Sequence, residues 1–97
     1  VIEQAEGGLR VTAPMVIANA RALHEAGRRA LSSAQRSASV LLDLAGVAEV
    51  DSSALATLFA WQRKAAESAV QLRVANPPAS LISLAALYGV SELLPLA

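Results

Sequence analysis

The sequence predicts an α/β fold, and three observations carry the prediction. Two short strand-like runs, residues 1–5 and 9–13, flank the pair Gly7-Gly8. Two further strand-like runs, residues 40–44 and 70–75, alternate with three segments of helical periodicity. The whole chain has 97 residues, which suits one domain spanning residues 1–97, so all these elements must share one core. The resulting order is strand, strand, helix, strand, helix, strand, helix. Strands joined by helical crossovers pair in parallel, so the sheet is mixed, with an antiparallel hairpin at its start.

Each element has a local reason. Glycine reaches positive φ without strain, so Gly7-Gly8 reads as a hairpin turn. Pro14 then suits a first helical position. Val16, Ala20, Leu23, Gly27 and Leu31 recur at helical spacing, while Arg21, Glu25 and Arg28 take the other side. Ser32, Ser33, Gln35, Arg36 and Ser37 form a polar connector. Residues 40–44 read as a buried strand that Asp43 and Gly46 bring to its exit. A second helix is expected over about residues 52–68. Leu55, Leu58, Phe59, Gln62, Ala66 and Ala69 share one of its faces, and Ser53, Ala54, Thr57, Trp61 and Lys64 another. Residues 70–75 alternate apolar and polar, the pattern of a half-buried strand, until Asn76-Pro77-Pro78 stops it. Residues 80–88 form a third, apolar helix that ends near Gly89, a natural left-handed cap. The tail, residues 91–96, is at most another helical turn, stopped by Pro95.

Composition excludes several functions. Eight basic and eight acidic residues leave no net charge, against both nonspecific nucleic-acid binding and a polybasic membrane patch. No cysteine is present, and His24 is the sole histidine, so neither a disulfide nor a His/Cys metal site is expected. No nucleotide-binding glycine pattern occurs. Asp43, Glu49 and Asp51 could meet, but loop carboxylates after strands are common without forming a catalytic pair. No catalytic residues and no cofactor are expected. No segment reads as transmembrane, because residues 79–97 contain Gly89, Glu92 and Pro95. The hydrophobic fraction, 55%, is high for so small a domain, so either both sheet faces are covered or apolar surface is kept for a partner.

The most informative stretch is Val50-Asp51-Ser52-Ser53-Ala54-Leu55, where a β-branched run hands over to a helix. Unpaired N–H groups and the positive end of the helix dipole gather there. The site suits a helix cap, an anion site or a phosphorylatable serine. Asp51 is expected to cap the helix and to leave Ser52 exposed at its first turn. Helical projection puts Trp61 off the core centre, on a surface shared with Thr57 and Lys64. That makes it a candidate interface residue, with ordinary core packing as the alternative. The third helix is apolar on too many sides for one buried stripe, so either the tail or a partner covers the excess.

These residues resemble a known family. Val40-Leu41-Leu42-Asp43-Leu44, then Val47 and Val50-Asp51-Ser52-Ser53-Ala54-Leu55, are similar to the STAS domain signature, an apolar strand followed by Asp-Ser/Thr at a helix start. The likeness covers residues 9–96. It implies a small mixed four- to five-stranded sheet with helices packed on one face. Leu84-Ala85-Ala86-Leu87-Tyr88-Gly89-Val90, with Leu93-Leu94-Pro95, resembles the ending of the MlaB-like branch. That branch implies a non-catalytic cytoplasmic subunit, peripheral to the inner membrane. Its partner would be the MlaF-like ATPase of a phospholipid ABC transporter that maintains outer-membrane lipid asymmetry and, through it, the membrane permease. The related anti-sigma factor antagonists imply another partner, an anti-sigma factor kinase that phosphorylates the serine matching Ser52. The resemblance puts the partner-binding set at Asp51, Ser52 and Ser53, which Thr57, Trp61 and Lys64 extend along the helix. Ala54 stands where both branches favour glycine. Its Cβ is expected to hinder close approach of a kinase or partner backbone, which favours docking over phosphorylation.

Overall fold

Two strands open the fold, β1 (Ile2–Ala5) and β2 (Gly8–Val11), paired antiparallel with Ile2 opposite Val11 and Ala5 opposite Gly8. The computed structural model describes all residues, Val1–Ala97. The turn between the strands is Glu6-Gly7, and Gly7 supplies the positive φ of +79°. Gly8 belongs to the strand instead of the turn. A Cβ there would overlap the Leu41 backbone of the neighbouring strand, so this glycine is required by close approach.

The sheet continues with β3 (Ser39–Asp43) and β4 (Gln71–Ala75), in the order β1-β2-β3-β4, and the last two pairings are parallel. Helix α1 (Ala20–Ser32) crosses from β2 to β3, and α2 (Ser52–Glu67) crosses from β3 to β4. Helix α3 (Ala79–Leu87) follows β4. The fold is therefore the expected α/β mixed sheet. Leu9, Val11, Leu42, Leu72 and Val74 point into the core against Leu23 and Leu31 of α1 and Leu55, Leu58 and Trp61 of α2. The opposite sheet face carries Glu3, Arg10, Asp43 and Arg73. Arg10 lies 3.5 Å from both Glu3 and Asp43 there. The large apolar fraction thus does not cover a second sheet face.

Two further boundaries differ from the sequence reading. Pro14 does not start α1. Met15 is drawn into the core and forms a parallel bridge with Val50, so the helix is delayed through a 3₁₀ turn at Ile17–Asn19 until Ala20. Burial of Met15 outweighs the fixed φ of the proline. The tail makes a 3₁₀ turn at Ser91–Leu93 and then runs along the free edge of β4. Val74 N–H donates to Pro95 O at 2.8 Å, and Ala97 N–H donates to Val74 O at 2.8 Å. Paired this way, the edge strand offers less free backbone to another chain.

Both α2 and α3 end in the same way. Val70 N–H reaches Ala65 O at 2.8 Å past Ala69 with φ +56°, and Val90 N–H reaches Ala85 O at 2.8 Å past Gly89 with φ +70°. Each is a left-handed cap that returns an apolar residue to the helix it follows.

Candidate functional site

The site is built where α2 begins. Asp51 has extended backbone, and its Oδ1 accepts from Ser53 N–H at 2.9 Å, the bond of an N-cap. Ser53 also donates its hydroxyl to Oδ1. The other oxygen, Oδ2, accepts from Ile17 N–H at 2.9 Å. The backbone repeats the link, since Asp51 N–H donates to Met15 O at 3.1 Å and Met15 N–H to Glu49 O at 2.9 Å. One carboxylate therefore fastens the loop before α1 to the start of α2. The Ser53 hydroxyl first, then the Ile17 and Ser53 amides, hold the Asp51 carboxyl below the ordinary aspartate range.

Ser52 is exposed at the first turn of the 16-residue helix α2, and no side-chain hydrogen bond occupies its hydroxyl. Asp51 and Ser53 are committed to each other, so Ser52 is the chemically available member of the motif. Ala54 is buried and points into the core. Its Cβ does not face a partner, and the expected obstruction of a kinase or partner backbone is corrected.

Trp61 corrects another expectation. It is only 2% exposed, and its indole lies on Gly27 of α1, where any Cβ would overlap the ring. Its Nε1–H points to His24 O at 3.4 Å. Thr57 is 6% exposed on the same side of α2. The face drawn from Ser53, Ala54, Thr57, Trp61 and Lys64 is thus largely the seam with α1. A tryptophan at helical spacing reads as either interface or core, and Gly27 was the signal that could have separated them. Lys64 stays partly exposed, 3.9 Å from Glu67.

The other flank of α2 is the one sequence reasoning missed as a surface. Ser52, Leu55, Phe59, Tyr88 and Val90 line an apolar groove of about 280 Å³ between α2 and the end of α3. Phe59 also borders a second hollow with Gln62, Ala66 and Leu93. Leu81 and Ala85 are fully buried, but Leu87 is 77% and Tyr88 57% exposed. The tail therefore covers only part of the third helix, although Leu94 is buried. Ser52 stands at the mouth of this groove.

Asp43, Glu49 and Asp51 do not converge. Asp43 Oδ1 accepts from Asn76 Nδ2 at 3.0 Å and from Ala45 N–H at 2.9 Å, and these bonds, with Arg10 behind them, lower its pKa. Its knot ties the ends of β3 and β4, whereas Asp51 ties α2 to the loop before α1. No cluster of three metal-ligating residues is present, and no helix is long and apolar enough to cross a membrane.

Comparison with known proteins agrees with this architecture. A family model described as "Mlab, STAS domain" matches residues 1–95. No curated protein sequence matches the chain. Among solved structures, an anti-sigma-factor antagonist (STAS) domain protein from Planctomyces limnophilus superimposes with a TM-score of 0.76 at 16% identity, covering 99% of this chain and 86% of that one. A candidate anti-sigma factor antagonist from Thermotoga maritima superimposes with a TM-score of 0.71 at 12% identity, covering 99% and 83%. At these identities the structural likeness establishes the fold.

Proposed function

Because this chain belongs to the STAS domain family, we propose that it is a non-catalytic docking subunit gripped at the start of α2. Its partner in this reading is the ATPase of an Mla-type phospholipid ABC transporter, and through it the membrane permease. The observation that carries the reading is the exposed, uncommitted Ser52 at the mouth of an apolar groove. Asp51 fixes the two segments beneath it, so a partner meets a preformed corner and little ordering entropy is lost on binding. A subunit that binds only the folded ATPase stabilises it by mass action. The contact would hold the chain at the cytoplasmic side of the inner membrane.

Co-purification with the ATPase tests this. The expected result is one stable complex, lost in Ser52→Arg and kept in Arg73→Gln, a change on the open sheet face. A complex indifferent to Ser52→Arg places the contact elsewhere.

A second reading is favoured by the same serine and by the inward-pointing Ala54. In it the chain is an anti-sigma factor antagonist that switches partners when Ser52 is phosphorylated. A phosphate at the first turn of α2 would be favoured by the helix dipole, while adding nearly two negative charges at the groove mouth, close to the Asp51 carboxylate that already caps the helix. Incubation with an anti-sigma factor kinase and ATP, followed by mass spectrometry, tests it. Phosphate on Ser52 supports the switch, and an unmodified Ser52 removes it.

A further inference from the structure

The neutral chain is not neutral everywhere. On the flank of α2 away from the apolar groove, an open cleft of about 560 Å³ runs between α1 and α2, bordered by Arg21, His24 and Arg63. A smaller hollow continues it past Arg28, Lys64 and Glu67. Together these clefts carry four basic residues against two acidic ones, Glu25 and Glu67. The rest of the chain is left with four basic and six acidic residues. Both acids are engaged locally, Glu25 with Arg28 at 3.1 Å and Glu67 with Lys64 at 3.9 Å. Arg21 and Arg63, one from each helix, have no carboxylate partner within salt-bridge distance. Ala56 and Ala60 leave space between them, and Ile17, 73% exposed, stands at one end.

We infer that the α1–α2 cleft is a second docking surface, taking an acidic segment of a protein partner between Arg21 and Arg63. Guanidinium groups hold carboxylates through paired, charge-assisted hydrogen bonds. A cleft edged by two such groups and floored by small side chains fits an extended chain carrying acidic residues, with an apolar side chain resting on Ile17. Of the four basic residues, Arg28 and Lys64 are paired with Glu25 and Glu67. The two unpaired cations that remain are fewer than the clusters of about four to eight that hold a segment at an anionic membrane. The concave shape, charged on both rims, favours a peptide over a flat surface. This contact is separate from the grip at Ser52 and does not depend on it.

The test uses the full chain and a capped decapeptide rich in glutamate with one leucine, beside the same peptide with glutamine throughout. The expected result is saturable binding of the glutamate peptide, with amide shifts confined to Arg21–Glu25 of α1 and Ser53–Arg63 of α2. Affinity falls as salt rises. The double variant R21Q/R63Q, both changes on exposed side chains, lowers affinity by at least about tenfold. Arg73→Gln, on the open sheet face, leaves peptide binding unchanged, and because the peptide assay contains no ATPase its failure is distinguishable from failure of the Ser52 grip. Equal binding of the glutamine peptide, shifts elsewhere, no binding, or an R21Q/R63Q affinity equal to that of the parent overturns the inference. Capture by phosphatidylglycerol vesicles without capture of the peptide also overturns it and makes this face a membrane contact.

Discussion

The two flanks of α2 are closed in different ways. Toward α1, the indole of Trp61 rests directly on Gly27, and the interior of the seam is sealed. Toward α3, Leu81 and Ala85 are buried, but Phe59, Tyr88 and Leu93 border open hollows. One seam meets its apolar requirement inside the chain, and the other leaves apolar surface that a partner could cover. Hydrophobic residues therefore stand in different situations on the two sides, sealed within the chain on one and, in the proposed function, available for recognition on the other. The predictions below break that contrast or sharpen it.

The largest effect belongs to the sealed seam. Trp61→Ala should cost about 3–5 kcal/mol, the usual loss for truncating a buried aromatic. That is a large share of the stability of a domain this size. Gly27→Ala should cost about 1–3 kcal/mol by overpacking, although alanine by itself favours a helix. Urea unfolding followed by circular dichroism measures both. If Gly27→Ala is stabilising, the seam is looser than the overlap with the indole requires.

The joint at the start of α2 is next. The folded state holds the Asp51 carboxyl below its ordinary value of 3.8, so the native protein binds fewer protons there than the unfolded chain. The resulting stability is present above the ordinary value and is lost as pH falls through the lower folded one. Asp51→Asn should flatten the decline of stability below about pH 4. Asp43, held down by Asn76, Ala45 and Arg10, titrates in the same sense, so Asp43→Asn should remove a separate part of the slope. Thermal melts across that range check both, and an unchanged slope in Asp51→Asn would show that the loop and helix are fastened mainly by the backbone bonds at Met15.

The same contrast explains what could be read in the chain beforehand. Apolar runs and periodicity placed β3, β4 and α3 to within a residue or so, and in β4 burial follows the pattern. Strand β3, expected to be buried, buries only Leu42 and leaves Leu41 39% exposed, because one face of the sheet is open. The Asp51 cap was legible from a residue type at a helix start. Pro14 misled because its local preference was overridden by Met15, whose bridge to Val50 spans 35 positions and leaves no local trace. Trp61 misled because helical projection uses a single helix axis, while α2 has two buried flanks, one against the sheet and one against α1. The cleft bordered by Arg21 and Arg63 was invisible because its two rims come from different helices, and a neutral total hides a local surplus.

The smallest effect on stability, and the sharpest test of the contrast, lies on the open flank. Tyr88→Ser and Leu93→Ser alter side chains that are largely in solvent, so each should shift stability by no more than about 0.5 kcal/mol. If the groove is a docking face, the same changes should weaken co-purification with the partner, because a desolvated apolar anchor contributes most where it enters a pocket. Sealed and open flanks then separate cleanly, since Gly27→Ala lowers stability with little effect on a partner contact that it does not touch, while Tyr88→Ser does the reverse. Should Tyr88→Ser unfold the domain as readily as Gly27→Ala, the α2–α3 groove would be part of the core, and Ser52 would have to hold its partner without an apolar floor beside it.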